Sequence, residues 1–211
     1  MSYFSCKEIR NMAEIKCQKN AGKLALIFLL YSFLTVSISF DEEKFPKLVL
    51  VGVGITLALL IIRGAMEYGI SKVIKENYQE EKASTDSLFS GFFKKPIVAF
   101  YLQFLYTFLW TLLFIVPGII KAIAYIMTYY VMLDNPELSA NECITKSKEM
   151  MEGNKWNYFK LTFSYIGWWV LCILTFGILY LWIGPKMKTA QYDFYLKVSG
   201  KNRVIKNNVA Y

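Results

Sequence analysis

The chain contains no histidine. That removes the commonest general acid–base side chain and the commonest metal ligand together. Cysteine is scarce: Cys6, Cys17, Cys143 and Cys172 are all there is, and no two are spaced as CxxC. Neither a zinc ribbon nor a thioredoxin-like redox pair is indicated. Three of the four fall in segments assigned below to the cytoplasm, where thiols stay reduced, so free cysteines are expected. No phosphate loop is present either. Gly52-Val53-Gly54 sits in an apolar run without the following Lys and Ser/Thr, which argues against an energising ATPase. Residues 1–23 are polar and mixed in charge, without the short apolar core of a signal peptide. Charge is thin, at 19% of 211 residues, against about 25% in soluble domains.

What the chain has instead is hydrocarbon and aromatic surface: 55% hydrophobic and 17% aromatic residues, with a mean hydropathy of +0.35. From Ile97 to Leu133 the run is almost unbroken, with one turn signal at Pro117-Gly118. A membrane-crossing helix needs roughly 20 apolar residues, and adjacent Pro and Gly mark a tight turn. Ile97–Val116 and Ile119–Leu133 therefore read as a transmembrane hairpin.

The remaining runs place further spans near residues 24–40, 48–70, 158–176 and 178–197. The second turns amphipathic at Arg63 and Glu67, through about Asn77. The sixth does so past Pro185. That gives an all-α integral membrane bundle of about six transmembrane helices. Residues 1–198 form one membrane domain, and residues 199–211 a basic flexible tail. The N-terminal segment, Lys72–Lys95, Lys146–Lys160 and the tail carry the positive charge, whereas the connections near Glu42, Pro117 and Gly177 carry little. Positive segments stay on the cytoplasmic side. All fall there if the number of spans is even and both termini are cytoplasmic. The net charge of +8 is read as this bias rather than as a nucleic-acid surface.

Two segments look like helices lying on the membrane surface. Ser5 to Glu8 fits a capping box, after which Cys6, Ile9, Ala13 and Cys17 share one face of an amphipathic helix within residues 1–23. Ser139 to Glu142 fits a second box, in a surface helix near residues 139–152, with Ala140, Cys143, Ser147 and Met151 on the less polar face. Asn154 then matches Asn20. The segments superpose without gaps at an offset of about 134 residues, as an internal repeat does. A weaker third copy starts at Ser84-Thr85-Asp86. The unit would be a surface helix followed by a helical hairpin, present three times. Such helices serve as membrane-surface anchors or as a cytoplasmic docking platform.

The stretch Leu113-Phe114-Ile115-Val116-Pro117-Gly118-Ile119-Ile120-Lys121-Ala122 resembles the central signature of the DUF975 family. So do Asp134 to Glu142, Gly153-Asn154-Lys155-Trp156, and Ile166-Gly167-Trp168-Trp169 through Gly177. The resemblance runs in order from about Ser5 to Lys197. It departs from the family pattern at Pro185-Lys186-Met187-Lys188-Thr189, which is more basic. The resemblance implies a multi-pass protein of a bacterial cell (plasma) membrane, mostly from Firmicutes. It supplies no catalytic residues, because the family has no established activity.

Charges inside membrane helices are the default functional pointers. Arg63 and Glu67 are four apart and can share a helical face. Lys121 follows the hairpin turn, with Tyr125 one helical turn on. Lys186, Lys188 and Asp193 lie in the sixth segment. Arg63, Glu67, Lys121, Tyr125 and Lys186 form the candidate polar cluster, which would suit an anionic solute or lipid headgroup. The competing reading is that the long cationic chains snorkel to the interfaces and the tyrosines form an interfacial belt.

No catalytic residue, cofactor or metal is expected. Glu80-Glu81 is similar to the glutamate pair of CAAX-type intramembrane proteases, but it has no histidine partner. The leading expectation is a non-enzymatic accessory, regulatory or immunity-type subunit acting through its cytoplasmic surface helices. The alternative is a small transporter or lipid- or amphiphile-handling protein with a charged intramembrane cavity. Expected partners are the lipid bilayer and anionic lipid headgroups, with a possible membrane or cytoplasmic protein partner and no nucleic acid.

Overall fold

The computed structural model describes residues 5–35, 46–113, 115–175 and 177–201. Every regular element among them is helical, in agreement with the all-α expectation. The order is α1 (Cys6–Gln18), α2 (Ala21–Thr35), α3 (Pro46–Glu80), α4 (Thr85–Leu88), a 3-10 turn (Phe89–Gly91), α5 (Lys94–Leu113), α6 (Ile115–Tyr125), α7 (Thr128–Asp134), α8 (Ala140–Met150), α9 (Lys155–Phe163), α10 (Ile166–Leu174) and α11 (Tyr180–Val198). The acidic connection Asp41–Lys44 and nearly all of the tail lie outside the described residues.

Two helices organise the rest. α3 packs on α2, α4, α5, α7 and α11, and α11 packs on α1, α2 and α3. Thr189 to Leu196 of α11 are all buried. Around them the core is built from tyrosine: the Tyr130 ring lies 5.2 Å from Tyr192 and 5.5 Å from Tyr195, and Tyr78 lies 5.3 Å from Tyr192. Tilted and edge-on ring pairs of this kind add to simple burial.

The surface-helix faces read from the sequence are the buried ones. Ile9, Ala13 and Cys17 of α1 turn inward, with Cys17 Sγ 3.1 Å from Thr189 Oγ1 on α11. Ala140, Cys143 and Ser147 of α8 are buried, as is Met151. The second capping box forms in full. Glu142 accepts from the Ser139 amide at 2.7 Å, and the Glu142 amide donates to the Ser139 hydroxyl at 3.3 Å. The first box does not form. Ser5 stands at the N-cap without a side-chain bond, and its exposed helix end leaves the free amides to solvent. Cys6 and Ala140 open the two surface helices and Ala21 and Lys155 the helices after them, so the 134-residue offset holds at both boundaries. The third copy keeps only one helical turn, α4, where the Ser84 hydroxyl accepts from the Asp86 amide.

Several expected boundaries move. The hairpin turn is not at Pro117-Gly118. α5 ends at Leu113 and α6 starts at Ile115, so Pro117 occupies the first turn of α6. A missing N–H costs nothing there. Gly118 serves contact instead: a Cβ on it would lie 2.1 Å from Thr111 Oγ1 across the hairpin. The segment 119–133 is divided at Ile126-Met127, and the segment 158–176 at Ser164-Tyr165. By length and composition, Val116–Asp134 is apolar enough to cross a membrane, with a mean hydropathy of 1.5, and it alone meets that standard among the described residues. Ala21–Leu34 is apolar but shorter.

A polar end closes the bundle. Asp134, at the end of α7, accepts from Lys75 at 2.7 Å and from Tyr195 and Lys201 at 2.6 Å each. Asn77 is 1% exposed. It donates to the Lys16 carbonyl at 3.0 Å and accepts from Asn20 at 2.8 Å. Lys19 pairs with Glu81 beside them.

Close packing of α3 against α4 and the 3-10 turn depends on two glycines. A Cβ on Gly69 would sit 1.8 Å from the Leu88 carbonyl oxygen, and one on Gly91 2.0 Å from that of Ala65. Gly69→Ala is therefore expected to destabilise by about 1–3 kcal/mol. Gly167→Ala in α10, where an added Cβ meets nothing within 4 Å, should stabilise by about 0.5–1 kcal/mol. Melting midpoints in mild detergent separate the two. The cysteines give a second check. All four are unpaired, and Cys6 is the least buried. Burial pushes the Cys17 and Cys143 thiols up, which lowers their thiolate fraction. Maleimide at mildly alkaline pH should alkylate Cys6 first and reach the others only after denaturation, as read by intact mass.

Candidate functional site

The polar stripe of α3 supplies the first half of the site. Arg63, Glu67 and Ser71 follow at four-residue spacing, one above the other on a helical face. Ser71 bonds back to the Glu67 carbonyl at 2.8 Å. Opposite them α11 presents Lys188, whose Nζ lies 2.8 Å from Glu67 Oε2. From α2, the Tyr31 hydroxyl donates to Glu67 Oε1 at 2.5 Å. Both carboxylate oxygens of Glu67 are thus engaged. The pair is mostly withdrawn from solvent, its side chains 21% and 22% exposed. No ion pair within 4 Å involves Arg63 among the described residues.

Two cavities meet at this cluster. One, of about 290 Å³, is lined by Tyr31, Tyr158, Thr162, Tyr165, Trp169 and Tyr180 among others. The other, of about 480 Å³, is lined by Phe100, Gln103, Phe104, Tyr125, Ile126 and Tyr129 among others. Arg63, Glu67, Lys188 and Gln191 line both. The cluster is therefore their common wall.

Each cavity also borders a helix break. At Ile126-Met127 the freed backbone groups are satisfied by side chains from other helices. Gln191 Nε2 donates to the Ile126 carbonyl at 3.0 Å. The Met127 amide donates to the Ser147 hydroxyl at 3.2 Å, which in turn donates to the Ala124 carbonyl at 2.9 Å. At the break between α9 and α10, an Arg10 Nη donates to the Ser164 carbonyl at 3.4 Å, and the guanidinium lies 5.3 Å from the Tyr165 ring centre. Ser147 of α8 and Arg10 of α1 thus carry polar groups from the surface helices to the two breaks.

Of the residues singled out in the sequence, Arg63, Glu67 and Tyr125 line the larger cavity. Lys121 and Lys186 do not. Lys121 Nζ lies 4.4 Å from the Trp110 ring centre, a cation–π contact. Lys186 pairs with Glu14 of α1 at 2.7 Å on the surface. The cation that reaches the cluster is Lys188. Its position was legible: Gly184, Lys188, Gln191 and Tyr195 fall on one stripe of α11, and Lys186 falls off it. Tyr31 and Gln191 sit in ordinary-looking helical runs and give no comparable signal.

The cluster yields a clear energetic expectation. Removing one partner of a buried pair strands the other charge, at a cost of about 3–5 kcal/mol. Lys188→Met should lower stability by roughly that amount, whereas Lys188→Met combined with Glu67→Gln should recover most of it. A double-mutant cycle on detergent melting curves measures the coupling.

Residues 115–202 match the model of a family described as "Protein of unknown function (DUF975)". The match begins with α6 and runs past the end of α11. No curated protein and no solved structure matches.

Proposed function

We propose that this chain, whose residues 115–202 match the DUF975 family of unknown function, is a multi-pass membrane protein that takes a lipid-like amphiphile into its charged centre. It is a small transporter or lipid-handling protein rather than an accessory subunit working through its surface helices. One observation carries this reading: Arg63, Glu67 and Lys188 converge on the wall between two cavities instead of scattering to the ends of their helices.

The distribution of apolar surface supports a bilayer around the bundle. The outer faces of α5 and α10 expose Phe104, Phe108, Leu112, Trp168, Ile173 and Leu174, far beyond the scattered apolar residues of a soluble surface. α3 is about 52 Å long at 1.5 Å per residue, more than a hydrocarbon core of about 30 Å. Its last turns therefore stand clear at the polar end, beside Lys16, Lys19, Asp134 and Lys201. That grouping supports one cytoplasmic side for all the basic segments, and with it the six-span threading. Helices interrupted beside a charged site also fit a solute-handling protein, since irregular backbone at membrane depth is tolerated where it lines a cavity. The apolar faces of α1 and α8, by contrast, are spent on the chain's own bundle, which leaves a docking partner only their polar sides.

Binding of short-chain fluorescent phospholipids to the purified protein in mild detergent tests the proposal. Wild type is expected to bind saturably. Ala122→Phe, which fills the larger cavity, should weaken binding by about tenfold or more, a loss of roughly 1.4 kcal/mol, without lowering the melting midpoint. Equal binding by the filled variant would sink the reading.

A further inference from the structure

We infer that the larger cavity is an oxyanion site, built to receive the phosphate or carboxylate end of the amphiphile; this inference rests on the proposed function above. Two buried donors in the cavity wall have no hydrogen-bond partner among the described residues. The Tyr129 hydroxyl makes no hydrogen bond although the residue is only 7% exposed, and Gln103 Nε2 is likewise buried and unpartnered. Both line the 480 Å³ cavity, on different helices, α5 and α7. A buried polar atom without a partner costs free energy, and native structures retain few of them. Two in one cavity, flanked by a cation, have a common explanation in an acceptor that enters from outside.

The charges of that cavity say what kind of acceptor. Among the described residues, its charged lining residues are Arg63, Glu67 and Lys188. Glu67 is fully engaged by Lys188 and Tyr31. Among the described residues no carboxylate forms an ion pair with Arg63, so the described wall carries one more positive than negative charge. A guanidinium, a phenol hydroxyl and a primary amide present donors, and the planar guanidinium fork matches a phosphate or carboxylate. A zwitterion's cationic end finds no free carboxylate there. The rest of the lining, including Phe100, Phe104, Ala122 and Ile126, suits an acyl chain. The oxyanion therefore sits against Arg63, Gln103 and Tyr129, with its apolar part along α5 and α6.

Three variants keep shape while removing one donor or charge each: Tyr129→Phe, Gln103→Leu and Arg63→Gln. Purified wild type and variants are titrated with fluorescent phosphatidylglycerol, with fluorescent phosphatidylcholine, and with inorganic phosphate alone. Wild type is expected to bind phosphatidylglycerol more tightly than phosphatidylcholine, and each variant to bind phosphatidylglycerol about tenfold more weakly and to narrow that preference. Tyr129→Phe should also leave the melting midpoint unchanged or higher, because it removes an unmet hydroxyl. A fall in the midpoint with no change in preference would overturn the site. If inorganic phosphate alone binds with the same dependence on the three residues, the oxyanion site stands and its ligand is a free anion rather than a lipid. If both lipids bind equally to wild type and variants while Ala122→Phe still blocks them, this inference fails and the amphiphile reading survives. Should neither lipid nor phosphate bind wild type, both fall.

Discussion

A carboxylate and an ammonium 2.8 Å apart inside an apolar bundle fix everything that touches them. Either charge alone in that setting is costly by several kcal/mol, so Glu67 and Lys188 must arrive together. Their meeting sets the register of α11 against α3, because a slip of one helical turn, about 5.4 Å, would strand both. Tyr31 brings α2 to the same point. The residue after Lys188, Thr189, meets Cys17 and so positions α1. Tyr130 donates to the Lys188 carbonyl at 3.3 Å and ties in α7. A buried pair of this kind is weak evidence for stability in itself; here its effect is specification, since three other helices take their places from it.

The helix breaks follow from the same constraint. A continuous helix through Ile126 would need no help from outside, whereas this one borrows Gln191 from α11 and Ser147 from α8. Those donors and acceptors arrive only if α11 and α8 are already seated, so local irregularity and global packing are mutually dependent. The outcome is polar backbone and polar side chains gathered at one depth of an otherwise apolar bundle. Two cavities lie on either side of the gathering point, which a core packed only for stability would close, since protein interiors rarely leave voids larger than a water molecule.

Much of this was legible in the sequence, and the parts that were not have physical causes. The buried faces of α1 and α8 followed from 3.6-residue spacing, because burial of one stripe is what makes an amphipathic helix. Arg63 and Glu67 stood out because charge is rare in apolar runs. The Pro117-Gly118 turn was misplaced by a few residues because Pro is as much at home in the first turn of a helix as in a loop. The breaks at Ile126 and Tyr165 were invisible: neither carries Pro or Gly at the interruption, and the groups that stabilise them come from distant segments. Lys186 and Lys188, two residues apart on a helix, point in different directions, so only Lys188 reaches the cavity wall while Lys186 meets Glu14. The family match begins at Ile115, so it bears out the later part of the resemblance.

A structural ion pair would be complete in itself: one anion, one cation and donors already matched. The centre of this bundle is not complete. Arg63 adds a positive charge that Glu67, already holding Lys188 and Tyr31, does not neutralise. Tyr129 and Gln103 add buried donors that no described residue answers. A cation–π contact or a surface ion pair accounts for an isolated lysine, as Lys121 over Trp110 and Lys186 with Glu14 illustrate. Neither accounts for excess charge, orphaned donors and open volume at one place, since a side chain settled by its own partner has no reason to share a wall with unsatisfied neighbours. Coincidence of the three at one cavity is the signature of a missing acceptor, and the surplus positive charge gives that acceptor its sign.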